Sequence, residues 1–198
     1  MTDNYTKLAR DNIKKAWELG INVLEASLPA FRKGGILSMD AFGRKIMLSP
    51  EGVFDMDGEL VGVIALLISL YTLSANPALP ITDPLKAFRE LPGSTPYIAA
   101  FKANTETAII KHAYQIPAKL NHILNTFKGE KNNIGGDYSF FVTPLPKITL
   151  HYLIYEADED FPPSVTCLFS NNAHEFMPTD GLADVGEYTT AGIISLLE

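Results

Sequence analysis

Four acidic side chains, Glu156, Asp158, Glu159 and Asp160, fall within five positions of the stretch LIYEADEDFPPSVTCLF, residues 153–169. Carboxylates this close raise one another's pKa, which suits them to general-acid work or to holding a hard cation through oxygen ligands. The same residues also suit a solvated turn, because they follow an apolar run and end at Phe161-Pro162-Pro163. Asp158, Glu159 and Asp160 are therefore candidate ligand-binding residues, with the polar turn as the alternative.

Histidines stand at positions 112, 122, 151 and 174, and no two of them have the four-residue spacing that sets a metal-ligand pair on one helix face. The histidines therefore carry no metal signature. His151 alternates with Leu153 and Tyr155, so it reads as a buried, hydrogen-bonded imidazole or as an assisting group in a pocket. His174, in the polar segment SNNAHEF, is a second candidate. Arg89, in FRELPGSTPY, carries a planar fork that fits a carboxylate or phosphate, unless it pairs with Glu90 or with the acidic run. Asp137 follows two glycines in NIGGDYS, but the three spaced glycines or Gly-Lys-Ser/Thr end of a phosphate loop are absent, so it is a minor candidate. The single cysteine, Cys167, excludes an internal disulfide and any cysteine-rich metal or iron-sulfur cage within this chain. On an apolar strand its thiol behaves as a small hydrophobic group.

The elements that position these residues follow from periodicity. Leu8, Ile13, Trp17, Ile21 and Leu24 recur about every four positions, predicting an amphipathic helix over residues 5–27. ILSMDAFGRKIMLS predicts a hairpin turning at Phe42-Gly43. DMDGELVGVIALLISLYTLSA predicts a central buried helix with acidic residues at its start, followed by the proline-rich irregular connector NPALPITDP. Further helical patterns cover about 84–90, 96–103, 104–113 and 116–128. DYSFFVTPLPKITLHYLIYEA predicts an antiparallel strand pair whose second member is apolar on both faces and hence central. A short strand over 164–169 and a helix over 179–197 complete the chain. Helices, a strand cluster and a final helix indicate an α+β fold, a single domain over 1–198 with helices packed on a small, mostly antiparallel sheet.

Composition narrows the function classes. With 46% hydrophobic and 20% charged residues over 198 positions, the chain has the balance of a folded domain. A net charge of −7 repels phosphate backbones, so nucleic acid is not an expected partner. The uncharged segment from Leu60 to Ala75 falls short of the roughly 20 residues a membrane span needs. The polar start, MTDNYTKLARDNIKK, lacks the apolar centre of a signal peptide, giving a cytoplasmic expectation.

The ordered fragments FRELPGSTPYIAAF and GGDYSFFVTPLPKITLHYLIYEADEDFPPSVTCLFSNNAHEFMPTDGLADVG resemble the family termed domain of unknown function 3786, over roughly residues 50–198, with the N-terminal helix and hairpin packed on that region. The family's Asp-Glu-Glu-Phe-Pro type motif is matched by Asp158-Glu159-Asp160-Phe161-Pro162, after Ala157 in place of a glycine. Ser170 stands where the family tends to have an aspartate after a Leu-Phe pair, which weakens a catalytic role there. The resemblance implies a prokaryotic protein, typically from anaerobes; some longer relatives add a cysteine-rich iron-sulfur module that this chain lacks. No activity and no cofactor follow from it.

Three functions are consistent with these residues. The first in rank is a small-molecule or cofactor-binding accessory protein of anaerobic metabolism, with a pocket beside the central strand for a ligand such as a tetrapyrrole-like cofactor. The second is a protein-interaction module. The third is a carboxylate-dependent, metal-assisted enzyme using Asp158 and Glu159 with His151 or His174.

Overall fold

The computed structural model describes residues 4–198, an α+β fold with two antiparallel sheets. The amphipathic N-terminal pattern forms two helices, α1 (Asn4–Trp17) and α2 (Ile21–Ser27), not one. Gly20, the residue before α2, has φ 88 and ψ 140, a backbone that residues with side chains rarely adopt, and it separates the two helices. Ala9, Ile13 and Ala16 of α1 are buried, and Asn12 Nδ2 donates to Ser69 Oγ at 3.1 Å on the central helix α3 (Gly62–Leu73).

Between α2 and α3 runs a five-stranded meander, β1 (Phe31–Lys33), β2 (Ile36–Ala41), β3 (Arg44–Ser49), β4 (Gly52–Asp55) and β5 (Gly58–Glu59). The predicted hairpin is its β2–β3 pair. Phe42 and Gly43 at its turn both have positive φ, 50 and 74, the backbone that two-residue hairpin turns need to match strand twist. A Cβ on Gly43 would sit 2.8 Å from Thr126 Cγ2, so this turn must be bare to reach its neighbour. Phe42 N donates to Pro144 O at 2.7 Å, joining this sheet to the second one.

The helix predicted to begin with acidic residues starts later, at Gly62. Asp55 instead ends β4, where it accepts from Asp57 N at 2.9 Å and from Arg44 at 3.0 Å. Local turn bonds thus outcompete helix capping there. α3 is buried as its all-round apolar pattern predicts, with Ile64, Ala65, Leu67, Ile68 and Tyr71 inside.

The remaining chain runs β6 (Lys86–Ala87), α4 (Ile98–Phe101), a π-helical segment (Lys102–Thr107), α5 (Ala108–Ile110), α6 (Ile116–Phe127), β7 (Glu130–Asn132), β8 (Tyr138–Leu145), β9 (Ile148–Tyr155), β10 (Ser164–Phe169) and α7 (Thr179–Ser195). The second sheet has the order β6-β10-β9-β8-β7, so β9 is central as its two-faced apolar pattern requires. Its inner face buries Leu150, Tyr152 and Ile154; Tyr152 stacks on Phe140 at 5.3 Å and its hydroxyl meets Thr190 Oγ1 of α7 at 2.9 Å. Residues 84–90, predicted helical, form β6 and a 3₁₀ turn (Phe88–Glu90) because Leu168 and Phe169 of β10 recruit this segment into the sheet. None of the described helices is long and apolar enough to cross a membrane.

Candidate functional site

β10 is paired with β9 along its whole length, but on its other side β6 covers only Leu168 and Phe169. Beyond that point the chain turns away at Phe88, leaving the edge of β10 without a strand partner. The Cys167 N–H on this edge is taken by a side chain instead: it donates to Glu106 Oε1 at 3.1 Å. Glu106 comes from the π-helical segment Lys102–Thr107. Lys102 and Glu106 stand four residues apart, a spacing that forms ion pairs on an α-helix surface. Here no ion pair joins them, and both line a shared cleft in which the Lys102 charge still acts on the Glu106 carboxyl. Gly186 of α7 allows that backbone to come close, since a Cβ there would lie 2.5 Å from Phe101 Cε2 and 2.9 Å from Thr105 Oγ1.

The cleft holds about 230 Å³. Its apolar side is formed by Ile98 and by Phe88 stacked on Phe101, with ring centroids 4.4 Å apart and planes 9° from parallel. Its polar side is formed by Arg89, Lys102 and Glu106, with Thr166 of β10 beside them. Burial pushes the Glu106 carboxyl above its ordinary value, against the opposing pull of the Cys167 N–H and of the Lys102 and Arg89 charges. The Arg89 guanidinium and the Lys102 ammonium form no ion pair or hydrogen bond with other described residues. Glu90, the suggested mate of Arg89, is engaged elsewhere, accepting from Ala87 N at 2.7 Å. The Cys167 thiol itself is fully buried, and burial followed by the Glu106 charge drives its pKa well up, so it acts as packing and not as a nucleophile.

Of the residues singled out in the sequence, Arg89 alone lines this cleft. Asp158, Glu159 and Asp160 are exposed in the loop after β9. Asp158 Oδ1 accepts from Asp160 N at 2.9 Å and Phe161 N at 2.7 Å, so its side chain closes the turn. Asp137 Oδ2 accepts from Glu156 N at 2.6 Å, tying the entry of β8 to the foot of the same loop. His151 sits on the outer face of β9, its Nδ1 3.2 Å from Asn132 Nδ2 and its ring 5.3 Å from Phe141. Burial lowers its pKa, with Asp83 opposing. His174 lies in the 3₁₀ turn Ala173–Glu175, half-buried. Among the described residues no three His, Cys, Asp or Glu side chains cluster to hold a metal, and no hydrogen bond joins the acidic loop to a histidine.

Lys102 and Glu106 were not singled out by sequence, because KANTE reads as an ordinary solvated helical pair. The signal that identifies them, a carboxylate capping an open sheet edge, exists only once β6 has turned away from β10.

A family model described as domain of unknown function (DUF3786) matches residues 23–191. The chain belongs to this family. The match begins upstream of the region carrying the sequence resemblance, so it takes in most of α2 and the whole first meander along with the second sheet. No curated protein and no solved structure matches the chain.

Proposed function

We propose that this DUF3786 protein binds a small anionic molecule in the cleft at the open edge of β10. One observation carries the reading: Arg89 and Lys102, neither engaged in an ion pair, converge on an apolar wall made by the Phe88–Phe101 stack. Pockets that bind metabolites combine such walls with a few convergent polar groups. A carboxylate or phosphate head would lie against the two cations, Arg89 offering a bidentate fork, while an apolar or aromatic body covers the phenyl rings. At about 230 Å³ the cleft is smaller than the roughly 300–1,000 Å³ of pockets for drug-sized ligands, so a whole tetrapyrrole does not fit it.

A second reading rests on Glu106. A half-buried carboxyl with raised proton affinity, set beside two cations in a cleft, has the character of a general acid or base acting on the bound anion. Binding is the reading we favour, since two cations beside an apolar wall are what an anion site requires, whether or not a reaction follows.

The experiment is an amide-resonance titration of the folded chain with a panel of small carboxylates and phosphates. Binding in the cleft shifts amides of residues 87–89, 98–106 and 166–167 together. Shifts for none of the panel, or shifts confined to other surfaces, overturn the proposal.

A further inference from the structure

A second feature lies on the outer face of the second sheet, apart from the cleft. Side chains alternate along β9, so Thr149 and His151 share this face. Phe169 of β10 is paired with Leu150, and continuing that register puts Ser170 beside Thr149. His151 and Ser170 are 6% and 2% exposed. His151 Nε2, Thr149 Oγ1 and Ser170 Oγ are all shut off from solvent, and none has a hydrogen-bond partner among the described residues. Asn132 Nδ2 lies 3.2 Å from His151 Nδ1, and an amide nitrogen donates there when the neutral ring carries its proton on Nε2. Buried polar atoms are nearly always paired, and these three, with Asn132 Oδ1 of the side chain against His151 as a fourth, call for a reason.

Residues 76–85 run beside the Ser170 end of this face, held by hydrogen bonds to Lys147, Asn171 and Asn172. Lys147 Nζ donates to Asn76 O and Ala78 O at 2.6 and 2.8 Å. The Asn172 side chain accepts from Ile81 N at 2.8 Å and donates to Leu79 O at 3.1 Å. Asn171 donates to Ile81 O at 2.7 Å through its backbone and to Pro84 O at 2.8 Å through its side chain. Leu79 and Ile81 turn outward, 78% and 53% exposed, so little apolar burial anchors the middle of the segment. Asp83 lies near enough for its charge to act on His151.

We infer that residues 76–85 form a strap that opens, uncovering at Thr149, His151 and Ser170 a binding site for an uncharged hydrogen-bonding molecule, water first of all. The closed strap gains its backbone bonds while leaving three polar atoms unmatched; the open strap reverses both terms. Such a balance allows a minor open population. Two hydroxyls that donate or accept, beside one imidazole N–H donor, match a neutral donor-acceptor group. The Asp83 carboxylate at the margin disfavours an anion.

Labelling of imidazole nitrogens by diethyl pyrocarbonate, read by peptide mass spectrometry on the intact folded chain, tests this. Exposed His122 is the internal standard. His151 is expected to label more slowly than His122 yet faster than global unfolding allows. Asn172→Ala removes both side-chain bonds to the strap and is expected to speed His151 labelling about tenfold, with His122 unchanged. Asn171→Ala, which removes only the bond to Pro84 O, speeds it less and serves if the first variant fails to fold. Acetamide slows the labelling of His151 and acetate does not. His151 labelling at the global unfolding rate, or unchanged in Asn171→Ala, overturns the strap. Equal effects of acetamide and acetate overturn the ligand class.

Discussion

Replacing Glu106 separates its two roles, as acceptor for a sheet edge and as a proton-binding group. Glu106→Ala leaves the Cys167 N–H, on a fully buried residue, without its acceptor. A buried donor left unmatched costs about 1–3 kcal/mol. For a chain of this length 1 kcal/mol corresponds to roughly 2–4 °C, so the expected fall in Tm is roughly 2–12 °C. Glu106→Gln keeps an acceptor oxygen at the same place and is expected to cost less than about 1 kcal/mol at neutral pH. The two variants also differ from wild type in pH dependence. The folded carboxyl holds its proton more tightly than the ordinary value of 4.5. Its contribution to stability is therefore fully present below that value and lost as pH rises through the folded one. Acidification from neutral pH thus stabilises wild type relative to Glu106→Gln, and the comparison cancels the other carboxylates. Urea unfolding followed by the fluorescence of the single tryptophan, Trp17, which packs against the core, measures both effects. Parallel pH profiles for wild type and Glu106→Gln, or an Ala variant as stable as the Gln variant, would refute the reasoning.

Other substitutions probe the supporting structure. Gly186→Ala drives a methyl group to within 2.5 Å of Phe101 and is expected to destabilise by about 1–3 kcal/mol and weaken anion binding, measured by unfolding and titration. Lys147 is 3% exposed, with its ammonium bonded to two carbonyls and 5.2 Å above the Phe176 ring. Lys147→Met orphans both carbonyls and is expected to lower stability by about 2–5 kcal/mol, with faster hydrogen exchange at residues 76–81. Asp158→Ala removes the two turn bonds of the acidic loop and is expected to cost roughly 1 kcal/mol while leaving cleft binding unchanged. A loss of ligand affinity in that variant would return the acidic residues to the site.

The sequence was most informative where periodicity is long and one-sided. The β8–β9 pair, the central place of β9 and the buried α3 all follow from apolar patterns that leave the chain few other ways to bury them. It was least informative where a distant partner decides the local state. Residues 84–90 have a helical pattern, yet two of them pair with β10, and the resulting bend creates the cleft. Lys102 and Glu106 have the spacing of an ion pair, yet they lie in a π-helical segment and Glu106 accepts from the edge of β10 instead. Arg89 was singled out for a planar fork whose chemistry does not depend on the fold, and it lines the cleft. The acidic run looked chemically rich, but a carboxylate closing its own turn and one spread over solvent are indistinguishable until hydrogen bonds are seen.

The most direct test of the central claim is a titration with benzoate and with benzyl alcohol, which share a ring and differ in charge, on wild type, Arg89→Met and Lys102→Met. Both cations are exposed, so neither change should disturb folding. Preferential binding of benzoate at residues 87–89 and 98–106, weakened about tenfold by each substitution, is the predicted result. Equal binding of the two compounds, or benzoate binding indifferent to both substitutions, would contradict an anion site at the edge of β10.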